Sequence, residues 1–183
     1  ISRDGRYVAF ASQADNLVPD DTNHMTDIFV LDRQSGQIER VSVSTDGDQV
    51  NDFTTNPDIS GNGRYVVFTS KASNLAGSGT NDRTHIFLRD RQTGTTEHIS
   101  RDFNSNYIFT EPSISNDGRY IAFGVDPGST RRICIFDRET NERKYIAQSS
   151  SGTYARDDLL NPVISANGRF VTFCSDANNL VDN

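Results

Sequence analysis

The chain alternates between short apolar runs and polar, turn-forming segments. Four of the apolar runs are near copies of one another: RYVAFAS (6–12), RYVVFTS (64–70), RYIAFGV (119–125) and RFVTFCS (169–175). Each is rich in β-branched and aromatic residues and apolar on both faces, the pattern of a strand covered on both sides. Asp-Gly or Asn-Gly precedes every copy, at Asp4–Gly5, Asn62–Gly63, Asp117–Gly118 and Asn167–Gly168. Such a dipeptide between apolar runs predicts a hairpin with a type I′ turn, in which both central residues take positive φ. The strand before that turn is read in PDIS (57–60), PSIS (112–115) and PVIS (162–165).

A third strand is predicted over DIFVLD (27–32), HIFLRD (85–90) and RICIFD (132–137). It runs into DRQSG, DRQTG and DRETN, where Gly36, Gly94 and Asn141 supply a residue tolerant of the left-handed conformation. The fourth strand follows as QIERVSV, TTEHIS and ERKYIA. No segment holds a 3.6-residue apolar period for three turns, so a helical solenoid is excluded. Ile1, Ile59, Ile114 and Ile164 open successive copies, a period of 50 to 58 residues. Four antiparallel strands per unit, apolar on both faces, describe the blades of an all-β propeller. The expected division is blade 1 at 1–56, blade 2 at 57–111, blade 3 at 112–161 and a half blade at 162–183.

That is about three and a third blades, whereas propellers close with roughly four to eight. An open arc exposes an apolar blade face at each end. The expectation is that further blades of a longer parent chain cover those faces, with a second copy as the alternative. In a two-fold ring the strand Arg169–Ser175 would duplicate Arg6–Ser12, which counts against the second arrangement.

Composition adds exclusions. A hydrophobic fraction of 34% with 9% aromatics suffices for a folded core, and no run approaches the length of a membrane span, so no membrane insertion is expected. Net charge is −7, with 25 acidic against 18 basic residues and no basic block, which argues against nucleic acid as a partner. Cys134 and Cys174 fall in predicted strands; they are either a disulfide between neighbouring strands or small buried hydrophobes.

The candidates for chemistry are few. Asp21, Asn23 and Asp27 lie on one loop with oxygen ligands at i, i+2 and i+6, a weak calcium pattern that lacks the glycine and distal glutamate of a full calcium loop. The competing reading is a polar turn closed by local side-chain bonds. His24, His85 and His98 stand at unrelated places in the repeat and read as surface or edge residues. No G-x-S-x-G is present; GSGT (77–80) and SSSGT (149–153) have turn compositions. Ser2, Ser60, Ser115 and Ser165, like Arg6, Arg64, Arg119 and Arg169 and the carboxylates Asp32, Asp90 and Asp137, recur in the repeats. An active site breaks repeat symmetry, so these residues are assigned to bonds within each blade, each Arg to its Asp. What differs between repeats is the connection from the fourth strand to the next first strand, which carries Phe53, Tyr107, Phe109 and Tyr154. Loops that vary on a rigid scaffold are where binding specificity resides, so these aromatics are the candidate binding residues; the competing reading is an ordinary connection whose aromatics tuck under the loop.

The unit S-x-[D/N]-G-R-[Y/F]-[V/I]-x-F, followed by [D/H/R]-I-[F/C]-[V/L/I]-x-D-R-x-[T/S]-[G/N], resembles the WD40-like propeller repeat of TolB-type proteins of bacteria, over essentially the whole chain. The resemblance implies a non-catalytic scaffold with a protein partner, in a periplasmic or secreted setting. Blades of this kind also stand beside the catalytic domain of propeller-bearing serine peptidases. A gating propeller of a hydrolase whose catalytic domain lies outside these residues is therefore the second expectation. A calcium-stabilised extracellular structural repeat is the third.

Overall fold

The computed structural model describes residues 1–77, 82–104, 106–147, 154–155 and 157–180; GSGT and SSSGT therefore fall largely or wholly outside the described residues. Every regular element described is a strand. The first sheet has three: β1 (Tyr7–Ser12), β2 (Asp27–Asp32) and β3 (Ile38–Arg40). The second has four: β4 (Thr54–Ile59), β5 (Tyr65–Ser70), β6 (His85–Asp90) and β7 (Thr95–His98). The third repeats this with β8 (Ile108–Ile114), β9 (Tyr120–Asp126), β10 (Arg132–Asp137) and β11 (Glu142–Tyr145). A two-stranded sheet of β12 (Leu159–Ile164) and β13 (Val171–Ser175) ends the series. Strands adjacent in sequence are adjacent in each sheet and antiparallel, as in propeller blades. The four sheets do not close into a ring.

The core lies between sheets. Ile28, Val30 and Val41 of the first sheet pack against Ile59, Val66, Phe68 and Phe87 of the second. Val67, Ile86, Leu88 and Ile99 pack in the same way against Ile114, Ile121, Phe123 and Phe136 of the third. The second and third strands of the two middle sheets therefore bury both faces, which is why their sequences are apolar without alternation.

Two local features depart from the sequence reading. The Asp/Asn-Gly turns are not type I′: Gly5, Gly63, Gly118 and Gly168 have φ of +71°, +71°, +76° and +69°, while Asp4, Asn62, Asp117 and Asn167 stay out of that region. Side-chain bonds are the cause. In the first copy Ser2 Oγ donates to Asp4 Oδ1 at 2.6 Å and accepts the Tyr7 N–H at 2.9 Å, and Asp4 Oδ1 accepts the Arg6 N–H at 3.0 Å. The other copies repeat this, so the loop is longer than two residues and only its glycine is left-handed. The second departure is that each innermost strand begins ahead of its proline. Pro57 sits inside β4 at a register shift between Thr55 and Asp58, where the missing N–H costs no ladder bond. β8 and β12 carry the same shift. Asn56, Glu111 and Asn161, immediately before the prolines, share a φ of +52°.

A repeated joint locks successive sheets. The Tyr7 ring lies on Gly63 of the next sheet, and a Cβ at Gly63 would overlap it. The Tyr65 ring covers Gly118 and the Tyr120 ring covers Gly168 in the same way. An arginine stacks on each side of the ring: Arg6 and Arg91 lie 4.8 and 4.6 Å from the Tyr7 centroid, and Arg64 and Arg138 lie 4.8 and 4.4 Å from that of Tyr65. The second arginine donates to the carbonyl of the covered glycine and to a glutamate of the preceding sheet, Arg91 to Glu39 and Arg138 to Glu97. Glycine stands at this position because only its bare α-carbon admits the ring, and because the turn needs positive φ.

Candidate interaction face

Alternation of strand direction gives the arc two ends. The turns from first to second strand and from third to fourth lie at one end; the connections from second to third strand and from one sheet to the next lie at the other.

The turn-bearing end is the same in every sheet. Arg6, Arg64 and Arg119 each make two bonds to Asp32, Asp90 and Asp137, with Nη2–Oδ2 distances of 2.6, 2.6 and 2.7 Å. The pairing expected from the repeat is thus present in all three sheets. The guanidinium holds each carboxyl well below the usual carboxylate range, Asp137 at about 2. Each Asp also accepts a backbone N–H of the following turn, from Gln34, Gln92 and Glu139. Gly36, Gly94 and Asn141 complete these turns at φ of +75°, +70° and +59°. The charged groups of this end are therefore largely engaged in holding the repeat together.

The loop-bearing end differs from sheet to sheet. Phe53 is 39% exposed, with Lys71 Nζ 5.0 Å above its ring. Tyr154 is 40% exposed, and the Arg132 guanidinium lies 5.7 Å from both its ring and that of Tyr145. Tyr107 is half-buried and packs against the second core cluster. Phe109 does not belong with them. It lies inside β8, fully buried, with Phe103, Phe123 and His85 around its ring, so it is a core residue with no surface to offer. Phe53, Tyr107 and Tyr154 make no ring contact with one another among the described residues.

The calcium candidates have other uses. Asp21 Oδ1 pairs with Arg40 Nη1 at 2.9 Å, both groups being nearly buried. Asp27 Oδ1 accepts the Ser42 hydroxyl and Oδ2 accepts the Asn23 amide at 2.9 Å. Asn23 Oδ1 in turn accepts the Met25 N–H. The carboxylates of this loop are thus engaged by a guanidinium, a hydroxyl and an amide, as in a polar turn closed by local side-chain bonds. Among the described residues no group of three or more His, Cys, Asp or Glu could hold a metal ion.

His85 is buried rather than at the surface, while His98 is half-buried on the edge strand β7. His85 is 2% exposed and its Nδ1 lies 3.1 Å from Ser100 Oγ and 3.0 Å from His98 Nε2. His98 stacks on Phe87, and burial beside His85 lowers its pKa to about 4. The first sheet shows what this cluster is. Asp27 occupies the position of His85 and bonds Ser42, which accepts the Ile28 N–H as Ser100 accepts that of Ile86. Both pairs tie the third strand to the end of the fourth beneath the loops. The recurring contact was concealed in the sequence because Asp and His fill the same place. The cysteines are unbonded: Cys134 is buried, and Cys174 is exposed on the last strand rather than buried.

No protein-family model matches the chain, and no curated protein matches it in sequence. Solved structures do. TolB from Acinetobacter baumannii aligns with 94% of the chain at 18% identity and a TM-score of 0.59, and a putative TolB from Agrobacterium tumefaciens with 95% at 17% identity and 0.60. Oligogalacturonate lyase from Vibrio parahaemolyticus aligns with 97% at 16% identity and 0.59. The chain spans 35%, 56% and 44% of the length of these three proteins. At such identity the likeness speaks for architecture alone, and one of the three is an enzyme. The chain has the fold of a TolB-like β-propeller, present as four successive sheets of an open arc.

Proposed function

We propose that this propeller is a TolB-like, non-catalytic platform that binds a protein partner through its loop-bearing end, in the bacterial envelope or outside the cell. The observation that carries the reading is the contrast between the two ends. At one, the Arg–Asp pairs and Ser–Asp/Asn turns recur and are satisfied internally. At the other, loops of different sequence present Phe53 and Tyr154 half-exposed on a rigid scaffold. Aromatic side chains with a polar neighbour are the usual anchors of protein interfaces.

The test is binding. A partner captured from a bacterial envelope extract is identified, and its Kd measured by calorimetry against three forms of the chain. Replacing Phe53 and Tyr154 together by Ser is expected to weaken binding by about tenfold or more, while Gln34→Ala with Gln92→Ala at the opposite end leaves Kd unchanged. The reverse pattern refutes the assignment of the face. Elimination on oligogalacturonate above the buffer rate, with or without manganese, refutes the non-catalytic part.

A further inference from the structure

The first residue of the third strand breaks the repeat. In the first two sheets that place is held by Asp27 and His85, 0% and 2% exposed, each bonded to the serine opposite it, Ser42 or Ser100. By the same register the pair in the third sheet is Arg132 and Ala147. Ala147 has no hydroxyl, so nothing ties the opposite residue inward, and Arg132 stands exposed. Ala147 also takes a φ of +69°, which a β-carbon makes costly, and its carbonyl accepts the Ala155 N–H at 3.0 Å. That bond returns the connection after β11 toward the sheet and sets Tyr154 beside Arg132.

The guanidinium is flanked by two rings, 5.7 Å from the centroids of Tyr145 on β11 and Tyr154 on the loop. Tyr107 is close by. Burial raises the pKa of the Tyr145 phenol, Cys134 and the phenols of Tyr107 and Tyr154 raise it further, and Arg132 opposes them. Three phenols and one cation thus share this corner of the loop-bearing end. Among the described residues the Arg132 side chain makes no hydrogen bond or ion pair. Each acid nearby has another partner: Asp126 pairs with Arg131 at 3.1 Å, Asp158 accepts the Arg131 N–H at 2.8 Å, and Asp157 accepts the Asp158 N–H at 2.8 Å.

We propose that Arg132, set between Tyr145 and Tyr154, receives a carboxylate of the protein partner, an Asp or Glu side chain on an acidic segment. The inference rests on the partner-binding reading and gives that partner a chemistry. A guanidinium between aromatic faces keeps its charge, is weakly hydrated and holds its N–H donors in few orientations, which lowers the entropy lost on binding. The planar fork matches the two oxygens of a carboxylate, and such charge-assisted bonds are stronger than neutral ones. A neutral phenol beside it offers a further donor. One unpaired cation is matched by a single negative charge. Arg131, which could have supplied a second for a phosphate, is committed to Asp126.

The probe is a capped hexaglutamate peptide, titrated into the isotope-labelled chain and followed by NMR, with hexaglutamine as the control. Hexaglutamate is expected to shift the Arg132 Nε–H and the ring signals of Tyr145 and Tyr154 to saturation, and hexaglutamine to leave them unmoved. Arg132→Gln should abolish the shifts, and Arg132→Lys, which keeps the charge but loses the fork, should weaken binding. The captured partner supplies the second arm: Arg132→Gln should raise its Kd by roughly tenfold or more, and by less as salt rises. Hexaglutamate that moves neither Arg132 nor the rings overturns the proposal. So does inorganic phosphate that competes at equal affinity, which makes the corner a general anion site. A Kd unchanged by Arg132→Gln but weakened by Phe53→Ser also overturns it and leaves the loop-bearing face standing. A Kd moved by neither substitution removes the face, and this inference with it.

Discussion

Substituting Gly118 by Ala measures the joint that holds one sheet on the next. At φ of +76° a Cβ costs roughly 1–2 kcal/mol wherever it points. Here it also overlaps the Tyr65 ring, lying 2.7 Å from Cε2 and 2.9 Å from Cγ. That ring has no easy escape, since Arg64 and Arg138 stack on it at 4.8 and 4.4 Å. Overpacking of this kind adds about 1–3 kcal/mol. Gly36 is the control: its φ is +75° and a Cβ there meets nothing within 4 Å, so Gly36→Ala carries the backbone cost alone. In a chain of this size each kcal/mol lowers Tm by roughly 2–4 °C. Gly118→Ala should therefore melt about 2–12 °C below Gly36→Ala by circular dichroism or calorimetry. Introduced into a Tyr65→Ala background, the two substitutions should cost the same. If they melt together in the wild-type background, or if the gap survives the loss of Tyr65, the ring does not sit on the glycine and the joint is wrong.

Three further outcomes are expected. Arg119 holds the Asp137 carboxyl at about 2 against an ordinary aspartate value of about 4. The folded pKa is the lower one, so the stabilisation is complete above pH ~4 and is lost as pH falls from there through about 2. Urea midpoints should fall more steeply in that window for wild type than for Arg119→Ala, and equal slopes would contradict the pairing. His98 is held at about 4 by burial beside His85, below an unfolded value of about 6.5, so its neutral form is favoured by folding. Its contribution is complete above pH ~6.5 and declines toward about 4; His98→Phe should flatten Tm between pH ~7 and pH ~5, and an unchanged decline would place His98 in solvent. Thiol reagents should label Cys174 in the native protein and Cys134, whose thiol burial pushes up to about 12, only after denaturation; equal rates for the two would refute the placement.

The strands and turns were legible where a local pattern repeats. DIFVLD, HIFLRD and RICIFD match β2, β6 and β10 residue for residue, because both faces of each must be apolar. The Arg–Asp pairs were legible for the same reason: a charge pair kept at the same place of the repeat in three sheets, although 26, 26 and 18 residues apart, has a structural use. Side-chain chemistry within the turns was harder to see. Asp4 and its equivalents bind hydroxyl and amide groups locally, which lengthens a loop that the dipeptide alone would make two residues long. A strand starting at Pro112 leaves Phe109 in a loop, whereas β8 runs back to Ile108 and turns Phe109 into the core. The joint itself was hidden. Tyr65 and Gly118 are far apart in sequence, and nothing local to either marks the contact except that an aromatic follows Gly-Arg in every copy.

The claim that function resides at the loop-bearing end is tested most directly by photo-crosslinking in bacterial cells. A photoreactive residue is placed in turn at Phe53 and Tyr154, and at Gln34 and Gln92 on the opposite end. The account predicts adducts to one and the same protein from the first two positions and none from the second two. Adducts from Gln34 and Gln92 alone would put the working surface on the turn-bearing end and contradict it.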